Sequence, residues 1–253
     1  MEIIQLNSLI LAVCIAALAG LVGSFALMKR MSLAGDVISH FALPGIGIAL
    51  LLNASPLLGA AISLTIGVLA IWKIEKNSAL STDAAIGVAF TASVALGVLL
   101  TPSEYLLETL FGSFPSEYGA YFWIALALTF LIGLLIYSLR NKLVISIFSP
   151  ELAQSAGVKV SRINLIYFLI FGATIFLGLQ FLGTILVGAL LIAPAAASRR
   201  LTSNLSASLF LSSVFGVLSV IMGYLVSTRF DLAFGPTVVA ASAVIFVVTL
   251  IKK

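Results

Sequence analysis

The sequence predicts an all-α fold, a polytopic bundle of eight to ten transmembrane helices. Three observations carry that expectation. Hydrophobic residues make up 62% of the chain and charged residues only 9%, whereas soluble domains run near 45–50% apolar and about 25% charged. Too few polar side chains remain to cover a globule in water. The apolar residues also gather in runs close to the ~20 residues that a membrane-spanning helix needs. Such runs, joined by short loops, use nearly all 253 residues. The chain is therefore expected to form a single transmembrane domain over 1–253, with any soluble ATPase, receptor or enzyme module on another chain.

The apolar segments fall at about 8–28, 37–52, 57–72, 84–101, 121–139, 163–179, 183–198, 207–227 and 235–251. The first follows an acidic residue, Glu2, and extends to Met28. A signal peptide has a basic start and a shorter apolar core, so this run reads as a retained membrane helix. Cys14 lies inside it and is the only cysteine, which excludes an internal disulfide and a multi-cysteine metal site. The sixth and seventh segments are parted only by the brief polar interruption at Gln180. They are either two short helices or one broken element, and that choice sets the range of eight to ten.

Orientation follows from the cations. Lys29, Arg30, Lys73, Lys76, Arg140, Lys142, Lys159, Arg162, Arg199, Arg200, Lys252 and Lys253 all fall on one side if there are nine crossings. Arg229 alone falls on the other. The 101–120 loop, also on that opposite side, carries Glu104, Glu108 and Glu117 and no Lys or Arg. The positive-inside rule then places the N-terminus outside and the C-terminus in the cytoplasm. An eight-crossing chain breaks this agreement unless 181–198 includes a re-entrant piece. The net charge of +4 thus reports topology and not a nucleic-acid partner.

The longest connection on the cytoplasmic side is 140–162. Within it Ser149 suits an N-cap, Pro150 a first helical position and Gly157 a C-terminal stop. The stretch reads either as a short amphipathic helix lying on the cytoplasmic face or as a solvated linker. A capped helix there offers a docking surface for a soluble partner.

Chemistry concentrates in the second segment, Gly35-Asp36-Val37-Ile38-Ser39-His40-Phe41-Ala42-Leu43-Pro44-Gly45, which holds the only histidine. Asp36 and His40 are four residues apart and share a face on a helix. Carboxylate with imidazole suits Zn²⁺, Mn²⁺ or Fe²⁺. A helix starting near Ser32 places His40 about 12 Å along it, toward mid-bilayer. Ionisable groups at that depth point to function. The alternative is structural, with Asp36 capping the helix and His40 bonded to a neighbour. Pro44 and Gly45 are expected to kink the helix and permit close packing. The 183–197 stretch is rich in small residues, which favour close helix approach and, less directly, substrate contact. Gln180 is either a pathway residue or a plain loop residue. Asp231 either attracts cations at the outer mouth or pairs with Arg229 or caps a helix.

Together these segments resemble the membrane permease subunits of zinc-, manganese- and iron-uptake ABC transporters. That family carries a Gly-Asp-x-x-Ser-His-x-x-Leu-Pro-Gly signature, matched at Gly35, Asp36, Ser39, His40, Leu43, Pro44 and Gly45. Further matches are Ile86-Gly87-Val88-Ala89-Phe90, Leu110-Phe111-Gly112-Ser113, the Pro150 to Gly157 stretch and the 183–197 stretch. The resemblance runs in order over most of the chain. It implies an ABC importer permease in the plasma (inner) membrane of a prokaryote. It implies a second permease copy, as homodimer or heterodimer, and a cytoplasmic ATP-binding-cassette ATPase docked on a coupling helix mapped to Ser149, Pro150, Glu151, Gln154 and Gly157. It also implies an extracellular or periplasmic metal-binding protein that delivers the cation. Asp36 and His40 would be metal-site residues, and Ser39, Gln180 and Asp231 candidates for the path. No cofactor is expected to stay bound; the zinc, manganese or iron ion is cargo. No phosphate-binding loop ending in Gly-Lys-Ser/Thr occurs, so hydrolysis would belong to the partner. The family usually has Asp where this chain has Ser149, and tends to have Pro where it has Ala233.

Two other functions compete. A secondary transporter or cation channel acting alone would need coupling groups inside the membrane, and few ionisable residues are available there. An intramembrane enzyme is disfavoured because one histidine excludes the two-histidine zinc protease motif. Ser39 and His40 are also sequence neighbours pointing about 100° apart on a helix.

Overall fold

A computed structural model describes residues 2–77, 82–102, 105 and 119–251, and every described element is a helix. In chain order these are α1 (Glu2–Met28), α2 (Ala34–Ser39), α3 (Ala42–Leu51), α4 (Pro56–Asn77) and α5 (Thr82–Leu100). Then come α6 (Gly119–Phe148), α7 (Pro150–Ser155), α8 (Val160–Leu201), α9 (Leu205–Phe230) and α10 (Phe234–Ile251). The matches expected at Leu110 to Ser113, and the acids Glu104, Glu108 and Glu117, lie outside the described residues.

α1 is the central post. It packs against α8, α9 and α6, and it does so through glycines. Gly20 meets the Ser212 backbone on α9, Gly23 meets the Leu191 backbone on α8, and Ala16 meets Gly216. In lipid there is little hydrophobic drive between helices, so small residues that let backbones approach supply the packing. Ser212 Oγ donates to the Gly20 carbonyl at 2.6 Å across the α1–α9 contact. Phe25, Tyr167, Phe168 and Phe171 fill the core beside the C-terminal half of α1 and are fully buried. Opposite them, α6 presents Trp123, Phe130, Leu131 and Leu134, all strongly exposed. An apolar face of that kind suits hydrocarbon and not water.

Two elements differ from their sequence expectation. The second segment was expected as one helix from near Ser32 to 52, kinked by Pro44. It is two short helices, and the break falls at His40–Phe41, before Pro44. Pro44 sits in the first turn of α3, where its missing N–H has no helical partner to lose. Because α2 begins at Ala34, His40 lies about 9 Å along it and not 12 Å.

The sixth and seventh segments are two helices that meet at a break, both carried within α8. α8 is continuous except at Gly183, with φ 70° and ψ 178°. Val187 packs against Gly178, whereas nine residues of straight helix would separate them by about 13 Å. The chain therefore doubles back at Gly183. On the first leg the Tyr167 hydroxyl donates to the Val22 carbonyl at 3.3 Å; on the second, Leu191 reaches Gly23. Both legs thus run beside the same part of α1. Seven helical stretches are long and apolar enough to cross a membrane. Ile86–Leu100 is a shorter apolar helix, and the second leg of α8 is a further apolar stretch among the described residues.

Candidate metal site

The break between α2 and α3 creates the site. His40 is the C-cap of α2 at φ −70°, ψ −13°, and Phe41 the N-cap of α3 at φ −64°, ψ −17°. The ladder tightens locally to three-residue bonds, Phe41 N–H to Ile38 at 3.0 Å and Leu43 N–H to His40 at 3.1 Å. Carbonyls released by this tightening must find partners, since lipid supplies none. The Asp36 carbonyl accepts from Ser39 Oγ at 2.5 Å and from His40 Nδ1 at 2.8 Å. The Phe41 carbonyl accepts from Ser63 Oγ of α4 at 2.6 Å.

The His40 contact fixes a tautomer. A carbonyl only accepts, so Nδ1 carries the proton, and in the neutral imidazole the lone pair is left on Nε2. A ring nitrogen oriented through its opposite N–H is the usual arrangement of a metal-binding histidine. The ring is buried, 9% exposed, and held edge-on by Phe90 with centroids 5.2 Å apart. Asp36 is half-buried in the first turn of α2, whose N-cap residue, Leu33, makes no side-chain capping bond.

Close backbone crossings fix this short segment. Gly188 on the second leg of α8 abuts the Gly35–Asp36 backbone, where a Cβ would lie 2.6 Å from Asp36 Cα. Gly45 and Gly59 bring α3 and α4 into backbone contact, and Gly67 receives the Phe41 ring. The small-residue stretch at 183–197 thus packs directly behind Asp36.

Asp36, Ser39 and His40 are brought together; Asp231 is not part of that cluster. Gln180 lies on the first leg of α8, and its side chain is outside the described residues. Asp231 is the exposed C-cap of α9 in the left-handed region, φ 52° and ψ 44°. Its N–H is not the only one satisfied there, since Leu232 N–H also reaches the Ser227 carbonyl at 3.1 Å. The pairing with Arg229 does not form: among the described residues the ion pair is Lys29–Glu75, 3.9 Å apart. No group of three or more His, Cys, Asp or Glu gathers among the described residues. Among the described residues the cluster therefore holds two candidate side-chain ligands, Asp36 and His40.

The 149–157 stretch folds as α7. Pro150 occupies its first turn, and Ser149 stands at the N-cap but makes no side-chain capping bond. The sequence expected that bond; at φ −149° and ψ 77° the Ser149 backbone contributes its carbonyl, which accepts from Ala153 N–H at 3.0 Å. Gly157 turns left-handed at φ 77°. Its N–H reaches the Gln154 carbonyl and that of Val158 reaches Ala153, a Schellman closure. Glu151, Gln154 and Gly157 are exposed, and Ala153 anchors the helix.

The family model described as the ABC 3 transport family matches residues 1–253. The chain belongs to that family. This ABC 3 family member is 34% identical over 245 residues to the manganese transport system membrane protein MntC of Halalkalibacterium halodurans, covering 95% of this chain and 84% of the relative. It is 28% identical over 253 residues to the high-affinity zinc uptake system membrane protein ZnuB of Haemophilus influenzae, covering 97% and 96%. Among solved structures it resembles PsaBC from Streptococcus pneumoniae in complex with Fab, with a TM-score of 0.84 and 31% identity. That match covers 96% of this chain and 90% of the other.

Sequence reasoning missed Phe90, Ser63 and Gly188 as parts of the site. Phe90 closes the Ile86 to Phe90 match, and Gly188 lies in the small-residue stretch, so each carried a signal of position without a role. Ser63 carried none.

Proposed function

We propose that this chain is the membrane permease of an ATP-driven importer that carries a divalent transition-metal cation, manganese, zinc or iron, into the cytoplasm. The observation that carries the reading is the buried His40 at a helix break, its Nδ1 proton committed to the backbone carbonyl of Asp36, whose own carboxylate starts one helical turn earlier. His40 Nε2 and an Asp36 oxygen are a mixed nitrogen–oxygen donor set suited to borderline divalent ions. Two side-chain ligands bind more loosely than a closed structural site. A transport site must release its ion as well as accept it.

The permease works as a pair, with a second copy of this chain or a related one. A metal-binding protein delivers the ion on the outer side, and ATP is hydrolysed on a separate cytoplasmic subunit. α7 is the coupling helix, with Ser149, Pro150, Glu151, Gln154 and Gly157 meeting that subunit. Ser39, Gln180 and Asp231 border the path. The N-terminus is outside and the C-terminus cytoplasmic; nine passes give the odd parity this requires.

The test is uptake of manganese, zinc and iron, in competition, by proteoliposomes holding the permease pair with its ATPase and binding protein. Uptake that requires ATP, and that is lost in Asp36→Ala and His40→Ala variants which still assemble, is the expected result. Normal uptake by both variants would sink the site. Uptake by the permease alone, driven by an ion gradient, would replace the importer with a secondary transporter.

A further inference from the structure

A groove of about 790 Å³ opens between the end of α4 and the start of α8, beside α7. Its volume falls in the ~300–1,000 Å³ range of small-molecule sites. Lys76, Lys159 and Arg162 line it, none of its lining residues is acidic, and Gln154 and Gly157 form the edge it shares with the α7 face proposed to meet the ATPase. All three cations are exposed, and none has an ion-pair partner among the described residues. The neighbouring acid, Glu75, is engaged with Lys29. The apolar part of the wall is Trp72, Val158, Val160 and Leu165, all half-buried. Leu165 lies one turn further into α8 than Arg162, and Trp72 one turn further into α4 than Lys76. Trp72 is held by its indole N–H, which donates to the Ser161 carbonyl at 3.0 Å, and carries the Lys76 ammonium over its ring at 5.4 Å.

The groove thus carries its three cations, with Val158 and Val160 beside Lys159, where the helices leave the bilayer, and Trp72 and Leu165 one turn deeper. That order matches an anionic phospholipid, phosphate first and glycerol and acyl chains beyond. Basic pockets between transmembrane helices are recognised sites for such headgroups, and tryptophan settles at the same interfacial level. We propose that this groove binds the headgroup of an anionic phospholipid of the cytoplasmic leaflet, against the base of α7. The assignment of the leaflet rests on the proposed function, through the cytoplasmic placement of α7.

The chain has two tryptophans, so a Trp123→Phe background leaves Trp72 as the reporter. The full chain in nanodiscs is titrated with brominated phosphatidylglycerol or brominated phosphatidylcholine, and Trp72 quenching is read. The anionic lipid is expected to half-quench at a lower mole fraction. Its preference should shrink about five-fold for each of Lys159→Gln and Arg162→Gln, the effect of one basic residue near a lipid headgroup. Equal quenching by the two lipids overturns the proposal, as does a preference unchanged in both variants. Loss of the preference on adding inorganic phosphate would make the groove a free-anion site. Loss on adding the cognate ATPase would make it part of a protein interface; persistence in both arms supports the lipid. Labelling of Lys159→Cys, in a Cys14→Ala background, with a membrane-impermeant thiol reagent in right-side-out vesicles reports the leaflet separately. Labelling from outside would defeat the orientation while leaving the quenching result to stand or fall alone.

Discussion

Gly188→Ala probes the proposed metal site without touching either proposed ligand. The new methyl carbon would lie 2.6 Å from Asp36 Cα and 2.8 Å from the Gly35 carbonyl carbon. Carbon atoms rest about 3.5–4.0 Å apart, so α8 and α2 must part by roughly 1 Å. Both faces of this contact are backbone, and no flexible side chain yields instead. Overpacking of this kind costs about 1–3 kcal/mol. For a chain of this size that lowers the apparent melting temperature by roughly 2–12 °C. The displaced atoms belong to Asp36, whose carbonyl also orients His40. Disturbing such supporting contacts typically weakens metal binding about 10–100-fold. The assay is the half-saturating manganese concentration for ATP-dependent uptake, paired with thermal unfolding in detergent. Gly35→Ala, whose nearest neighbour would be 3.1 Å away, should show a milder version of both effects. Gly133→Ala, with only Leu18 Cδ1 at 3.9 Å, should show neither. Unchanged metal dependence and unchanged stability in Gly188→Ala would refute the claim that this crossing positions Asp36.

Other expectations follow from single contacts. Gly183→Ala forces a side chain into φ 70°, ψ 178°, a region nearly exclusive to glycine, and should cost about 1–3 kcal/mol by thermal unfolding. Phe90→Ala removes the edge contact on His40 and should weaken metal affinity while leaving assembly by size-exclusion chromatography intact. Lys29, just beyond α1, has its pKa lowered by burial, an effect larger than the opposing attraction of Glu75. The folded protein therefore binds fewer protons than the unfolded chain as pH climbs through that lowered pKa toward the ordinary value of 10.5, and stability should rise with pH across that window. Lys29→Met alone strands a Glu75 that is only 24% exposed and should destabilise, by less than the ~3–5 kcal/mol of a fully buried pair. The Lys29→Met, Glu75→Gln double variant should recover most of that loss in chemical denaturation.

The helices were legible because their signal is bulk hydrophobicity, which lipid reads directly. The segment at 207–227 and the helix Leu205–Phe230 differ only at their ends. The breaks were less legible. Proline drew the expected kink to Pro44, yet the ladder fails at His40, where three hydroxyl or imidazole donors are close enough to replace the lost bonds. Ser63 lies 22 residues from Phe41 in sequence, so no local pattern reveals that it serves the Phe41 carbonyl. Gln180 marked the interruption in α8 by its polarity, but the turn is at Gly183, because reversal needs a left-handed backbone and not a polar side chain. Asp36 and His40 stood out on their own, as ionisable residues in an apolar run. The groove beside α7 had its cations in view, but Lys76 and Arg162 meet only through the fold.

Gly183 also bears on how the chain enters the membrane. α8 holds 42 residues; drawn out straight it would measure about 63 Å, twice the hydrocarbon thickness. Folded at Gly183, it enters as a hairpin whose two legs shield each other's polar backbone turn and leave Arg199 and Arg200 on the side where Lys159 and Arg162 began. Everything downstream inherits its sidedness from that one reversal. A chain that failed to turn there would thread α9 and α10 with inverted polarity, so a single backbone conformation sets the topology of everything beyond Gly183.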